Sequence, residues 1–570
     1  MSDQVIASLH TYSGRFLRST DLVRDFDDPH GLQGYRLTDF GRSCLSRISD
    51  GFRANSGRRS WRLTGDFGSG KSSFALLLAH SASDARHRLP KDLFQQVSEE
   101  IPEVKKLQYV PVLVTATRER MAPAILRAIF KVYNTLYSRR GFRSELALQI
   151  ESLLSTPGKI KDSQVVDLIE KTNRKIIQDG RGAGMLLILD EVGKFLEFAA
   201  QNPEEQDVYF LQQLGEMAAR SGKESVVVVC LLHQGFNAYA DQLAPSSQRE
   251  WEKIAGRFEE IVFRQPLDQI ALLVESALEV DEYRLPPSLK KQAVAAFDAG
   301  LASGWFGTSA SRETLRRVAH NLFPLDPLLL PVLVRTFQRF GQNERSLFSF
   351  LCSYEPFGLR AFSNNPLTKT TRPYQLSDFY DYIRANFGHR LAVASYRTHW
   401  SVIESKIETH PADDALEVRI LKTVGVLNLL NADDLRPTRD AICWAVAGHS
   451  EDDRRHVTRL LKKLEGRDLH FRGEMRGFSL WPYTSVDIDA RMSEAKRAIP
   501  QVGKVAEAIR QQLDMSAPLL LSVMERMTSI LAPFSIRLET ALPSLSRTNA
   551  HSTHTSRPQG ISAPSKWRSI

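Results

Sequence analysis

Gly65-Asp66-Phe67-Gly68-Ser69-Gly70-Lys71-Ser72 is the stretch on which the reading of this chain turns. Every fixed position of the pattern G-x-x-x-x-G-K-[ST] is filled, and the flanks suit it. Trp61 to Thr64 reads as a short strand, and Ser73 to Ala79 as the start of a helix. The residue types have a physical reason. Glycines at 65, 68 and 70 let backbone N–H groups turn inward around a polyphosphate, where side chains would block the approach. The helix that follows points its positive end at the same anion. Lys71 is a mobile point charge able to reach β- and γ-phosphates, and the Ser72 hydroxyl can ligate Mg²⁺. Gly65 to Ser73 are therefore the candidate nucleotide contacts. The plain alternative is a glycine-rich turn that fits by chance.

The next acidic landmark follows Met185-Leu186-Leu187-Ile188-Leu189, an apolar run that reads as a strand buried on both faces. Asp190 and Glu191 close it. A carboxylate at the C-terminal end of such a strand lies where open α/β sheets bind ligands. Asp190 is placed to hold Mg²⁺ through water, and Glu191 to polarise the water that attacks the γ-phosphate. Helix capping is the rival role. Ser225 to Leu232 gives another strand, tipped by His233 and Gln234, which are candidates to sense the γ-phosphate or simply to tie off the strand. Ile261 to Phe263 reads as the last core strand. Arg257 stands just before it, either as a finger for a neighbouring subunit's phosphate or as a surface ion pair.

Outside these motifs the composition is that of an ordinary water-soluble protein. The chain has 570 residues, 42% hydrophobic and 25% charged, too long for a single core. Mean hydropathy is −0.27, and the longest apolar run, Val226 to Leu232, is far short of a bilayer crossing. Membrane partners are not expected. The four cysteines are scattered, which argues against a disulfide framework or a zinc cluster, and the N-terminus lacks a secretory pattern. A reducing cytoplasm fits. The net charge of +9 permits an acidic partner without requiring one.

The order of these pieces predicts an α/β P-loop NTPase domain over residues 1–266, a parallel sheet flanked by helices. An all-α lid is expected over 267–410, with helices near 269–280, 287–299, 311–321 and 327–340. Within it, Arg345 sits in a distinctive stretch and is a further candidate sensor, with an ion pair to an acid as the alternative. Residues 411–489 read as a winged-helix-like α+β module, three helices and a hairpin. Its third helix, Glu451 to Glu465, carries Arg455, Arg459 and Lys462 opposite an apolar stripe. With Arg472 and Arg476 in the hairpin, these are the candidate nucleic-acid contacts. A lid or dimer role is the competing reading. Residues 490–540 read as a helical segment and 541–570 as a disordered basic tail.

The chain resembles P-loop ATPases of the AAA+/STAND group, and more narrowly the large prokaryotic ATPases of phage-defence loci, including BREX-type systems. The stretches that carry the resemblance are Leu63 to Phe74, Leu186 to Leu196, Leu231 to Tyr239, Trp251 to Phe258, Gln342 to Leu351 and Leu480 to Asp489. The resemblance implies ATP and Mg²⁺ as ligands and the subclass with an extra strand between the two nucleotide motifs. It assigns Lys71, Ser72, Asp190 and Glu191 the roles above, with a homo-oligomer or defence-system proteins as partners. Members of the group are often longer, and the sequence after about Ala517 departs from their pattern. Two other functions remain open from the sequence: a nucleotide-dependent switch with little turnover, and an ATP-gated DNA-binding regulator.

Overall fold

A computed structural model describes residues 4–481, apart from 18–19, 67, 138–143, 203–206, 235–255, 342–346, 393–396, 412–413 and 449. The expectations for Phe67, for Arg345 and for the segments 490–540 and 541–570 lie outside the described residues. The described residues form one compact unit.

Five parallel strands form the sheet: β1 (Ser60–Thr64), β2 (Tyr109–Thr115), β3 (Gly184–Asp190), β4 (Val226–Leu232) and β5 (Glu259–Val262). Their spatial order is β2-β3-β4-β1-β5. The two central strands explain their own sequences. All seven residues of β3 and all seven of β4 are buried. Alternate side chains feed opposite layers, as strand geometry requires. Met185, Leu187 and Leu189 join one core with Val226, Val228 and Leu232, while Leu186 and Ile188 join the other with Val227, Val229 and Leu231.

The edge strand departs from expectation. It runs Glu259–Val262 rather than 261–263, and three of its four residues are exposed. A strand with one open side tolerates acids that an interior strand would not. Here Glu259 meets Arg58 and Glu260 meets Arg62. Hydrophobicity alone therefore misplaces its start.

At the N-terminal end of the sheet, Arg59 is fully buried, and among the described residues no carboxylate pairs with it. Its guanidinium donates to the carbonyls of Gly51, Arg53, Ala54 and Gly222 and to the Ser221 hydroxyl. It thereby fastens the turn before β1 to the turn before β4.

From Leu267 to Leu464 every named element is helical. The lid helices are Leu267–Leu278, Pro287–Ala302, Arg312–Val318 and Leu329–Phe340, close to the expected bounds. The last helices, Ala415–Leu430, Arg439–Ala447 and Glu451–Leu464, precede a two-stranded antiparallel ribbon, β6 (His470–Phe471) and β7 (Phe478–Ser479). One continuous apolar core runs from Ala271 to Trp481 and holds all of these helices and the ribbon together.

The first residues bridge the two parts. Ile6 and Leu9 pack with Leu285, Leu289 and Phe323 of the helical part. Further on, Leu22, Leu32 and Leu37 are buried in the sheet's core with the Lys71–Ala82 helix.

Candidate active site

The phosphate-type loop joins β1 to the Lys71–Ala82 helix, and its backbone explains its glycines individually. Gly68 and Gly70 have φ of +72° and +93°, a region that side-chain-bearing residues rarely enter. Gly65 is required for a different reason. A Cβ there would stand 2.4 Å from the Phe263 carbonyl oxygen, so the residue is small to let the end of β5 pass close by. The steric argument made for all three glycines from sequence thus divides: conformation at 68 and 70, packing at 65.

Lys71 is 4% exposed, and its ammonium donates to the carbonyls of Gly65 (2.5 Å) and Asp66 (2.8 Å). Burial pushes its pKa down to about 8, opposed by the nearby charges of Asp190, Asp66 and Glu191. It stays mostly cationic at neutral pH. Asp190, at the end of β3, is 5% exposed. Burial raises its pKa, and hydrogen bonds from the Ser72 hydroxyl and the Glu191 amide pull it back. The hydrogen bond that the Glu191 N–H donates to Asp190 Oδ1 is 2.8 Å long. A buried carboxylate held against a hydroxyl, with a lysine near, is a donor set that suits a hard divalent cation. Among the described residues no group of three or more His, Cys, Asp and Glu side chains forms a protein-only metal cage. Two protein oxygens with phosphate and water completing the shell is the usual arrangement for Mg²⁺.

Glu191 adopts φ +55°, a backbone conformation uncommon for a non-glycine residue. Its carboxylate forms an ion pair with Lys194, three residues on. His233 lies at the tip of β4, the strand inserted between β1 and β3. Burial, then Lys71 and Lys194, lowers its pKa to about 3, so the ring is neutral at physiological pH. Gln234, next along, is exposed.

Asp66, Gly68 to Ser73, Asp190, Glu191 and His233 line one end of a cleft of about 1570 Å³. Its other walls come from stretches without a motif. Arg15, Thr20 and Tyr35 belong to the N-terminal segment, and Glu355, Asn386 and Arg390 to the helical part. None of these lies in a pattern that spacing could have picked out. Thr20 is the most informative, because its hydroxyl is 2.7 Å from that of Ser73.

Other expected residues lie elsewhere. The Arg257 carbonyl accepts a bond from Ser60 at the start of β1, which puts the residue at the opposite end of the sheet from the loop. Its guanidinium is 3.1 Å from Glu216 and half-exposed. Arg257 is thus in the ion pair weighed against a finger role, and it is no part of this chain's own cleft. Arg455 pairs with Glu451 and Asp452 on the Glu451–Leu464 helix, while Arg459 and Lys462 are exposed there. Arg472 donates to the Trp481 carbonyl at 2.7 Å, beside the ribbon, and is half-buried. Arg476, in the turn, is exposed. All four cysteines are free and buried. Among the described residues no helix is long and apolar enough to cross a membrane.

Comparison with solved structures finds similarity to the ORC2 protein of Aeropyrum pernix, determined as ADPNP–ADP complexes. The identity is 14%, over 84% of this chain and 98% of that one, at a TM-score of 0.32. No family model and no curated protein matches the sequence.

Proposed function

We propose that the chain is a Mg²⁺-dependent ATPase whose nucleotide lies in the cleft between the sheet and the helical part. One observation carries the reading. The Lys71 ammonium, the Ser72 hydroxyl and the Asp190 and Glu191 carboxylates converge at the C-terminal ends of β1 and β3, within one electrostatic neighbourhood. The motif pattern and the sheet order, with β4 between the two motif strands, support the same reading.

When bound, Mg²⁺ would neutralise charge between β- and γ-phosphates. The chain's own residues have distinct tasks. Lys71 exchanges its bonds to the Gly65 and Asp66 carbonyls for phosphate oxygens, so the charge is held in place before the ligand arrives. Ser72 and Asp190 offer the oxygens that would hold the metal. Glu191 orients a water and accepts its proton. His233, neutral, contributes a hydrogen bond rather than a charge beside Lys71. The resemblance to phage-defence ATPases supplies a setting, a complex in which turnover drives a partner.

Nucleotide titration and phosphate release test the proposal. Lys71→Ala is expected to lose nucleotide binding, and Glu191→Gln to bind ATP while turning it over at least about a hundredfold more slowly. Equal hydrolysis by wild type and Glu191→Gln would remove the catalytic half. A second reading, contact with duplex DNA, is supported by the exposed Arg459, Lys462 and Arg476 around the final helix and ribbon.

A further inference from the structure

Residues 5–16 lie against the helical part and Leu22 is buried in the sheet's core beside the Lys71–Ala82 helix. On the helical side the chain is laid down by backbone bonds. The amides of Ile6 and Ala7 donate to the carbonyls of Asn365 and Ser363 at 3.0 and 2.8 Å. The Ser13 amide donates to Ala277, and the Leu9 carbonyl accepts from Asp281. The Tyr12 hydroxyl meets the Ser363 hydroxyl at 2.9 Å, and the rings of Phe16 and Phe348 stack at 4.5 Å. Ile6 and Leu9 are buried among Leu285, Leu289 and Phe323.

On the sheet side the attachment is equally firm. Asp21 caps the Leu22–Asp27 helix by accepting from the Val23 and Arg24 amides. Leu22 is wholly buried in the same core as Phe74, Leu77 and Leu78 of the phosphate helix. Between the two attachments, the Thr20 hydroxyl bonds Ser73, immediately after the residue assigned to Mg²⁺.

We propose that residues 5–17 and Thr20 act as a strap, with Thr20 a positioning residue that acts on the phosphate helix through Ser73. The strap makes nucleotide affinity depend on how its far end is seated in the helical part. The inference rests on the nucleotide reading above and adds to it a determinant outside the cleft lining, the seating of residues 5–13 on the helical part. The physical basis is chain connectivity: seating residues 5–16 on the helical part restricts where Thr20 can lie, so ordering the one lowers the cost of ordering the other against Ser73. Leu9 is the useful probe, because its cluster lies outside the cleft lining.

The experiment measures two quantities on the full chain with ATP and Mg²⁺: nucleotide affinity, and hydrogen exchange of residues 5–17. Leu9→Ala is expected to speed exchange across 5–17 and to weaken affinity about tenfold. Thr20→Val is expected to weaken affinity several-fold with exchange at 5–17 unchanged. Should Leu9→Ala fold poorly, Tyr12→Phe, which removes only the hydroxyl that meets Ser363, provides the same test with a smaller expected effect. Faster exchange in these variants with affinity within about twofold of wild type overturns the strap. Absence of nucleotide binding by the wild type is a different failure, that of the nucleotide reading itself.

Discussion

Lys194 and Glu191, three residues apart, form an ion pair at the end of β3, so the carboxylate proposed to activate water is already engaged by a cation. Lys194 is about half exposed, which limits what the pair is worth. Half-exposed pairs of this kind contribute roughly 0.2–1 kcal/mol, or a factor of about 1.4 to 5. Lys194→Met is therefore expected to raise turnover at saturating ATP by about that factor with affinity unchanged. In a Glu191→Gln background the same substitution should do nothing. A fall in turnover would instead make Lys194 a working cation.

Metal dependence should follow Asp190. Asp190→Asn preserves the size of the side chain and an oxygen for the Glu191 amide but removes the charge. Nucleotide affinity in wild type is expected to drop when Mg²⁺ is chelated, whereas in Asp190→Asn it should respond about tenfold less to Mg²⁺. A Mg²⁺ titration of nucleotide affinity reads this directly.

Gly65 and Gly70 should fail differently. Gly65→Ala forces a methyl into the Phe263 carbonyl and is expected to lower stability by about 2–3 kcal/mol, read as a shifted denaturant midpoint. At Gly70 a methyl meets nothing within 4 Å, but the backbone sits at φ +93°. Gly70→Ala is expected to cost about 1–2 kcal/mol and to distort the loop, so nucleotide affinity falls more than stability does.

Acid should loosen the strap. His10 is 4% exposed, and burial lowers its pKa to about 4. Its ring packs edge-on against Tyr12, with the Ser363 hydroxyl 3.4 Å from Nε2. Because the folded value lies below the ordinary one of about 6.5, the unfolded chain takes up the proton first. The stability His10 contributes is complete above about pH 6.5 and is lost as pH falls toward 4, on the order of 3–4 kcal/mol in all. The opening of residues 5–17, read as hydrogen exchange divided by the intrinsic amide rate at each pH, should rise between about pH 6.5 and 5 in wild type. In His10→Gln that rise should be largely absent.

Duplex binding, if it occurs, should follow the exposed charges of the last helix. Arg459→Glu with Lys462→Glu is expected to weaken binding and to reduce the salt slope by about one for each phosphate no longer neutralised. Arg472→Ala should act on ribbon stability instead, since its guanidinium holds the Trp481 carbonyl.

The parts of the molecule most readable from sequence are those set by local rules. Strands buried along their whole length, as β3 and β4 are, must be apolar throughout, and a loop of fixed backbone shape demands its glycines and lysine. The lid helices follow from apolar periodicity. What sequence conceals is set by distant partners. Arg59, buried among carbonyls from four separate residues, looks like any surface arginine in sequence. Thr20 and Ser73 are 53 positions apart. Glu259 and Glu260 conceal an edge strand because their neighbours are solvent and arginines. Lys194 reads as the polar face of an amphipathic helix, and only its geometry ties it to Glu191.

The unbroken core from Ala271 to Trp481 has a mechanical consequence. Side chains interlocked at that density do not slide past one another easily, so the described helices lining the cleft and the ribbon at residues 470–479 are expected to move together. A pull on the ribbon should then be felt at the cleft wall.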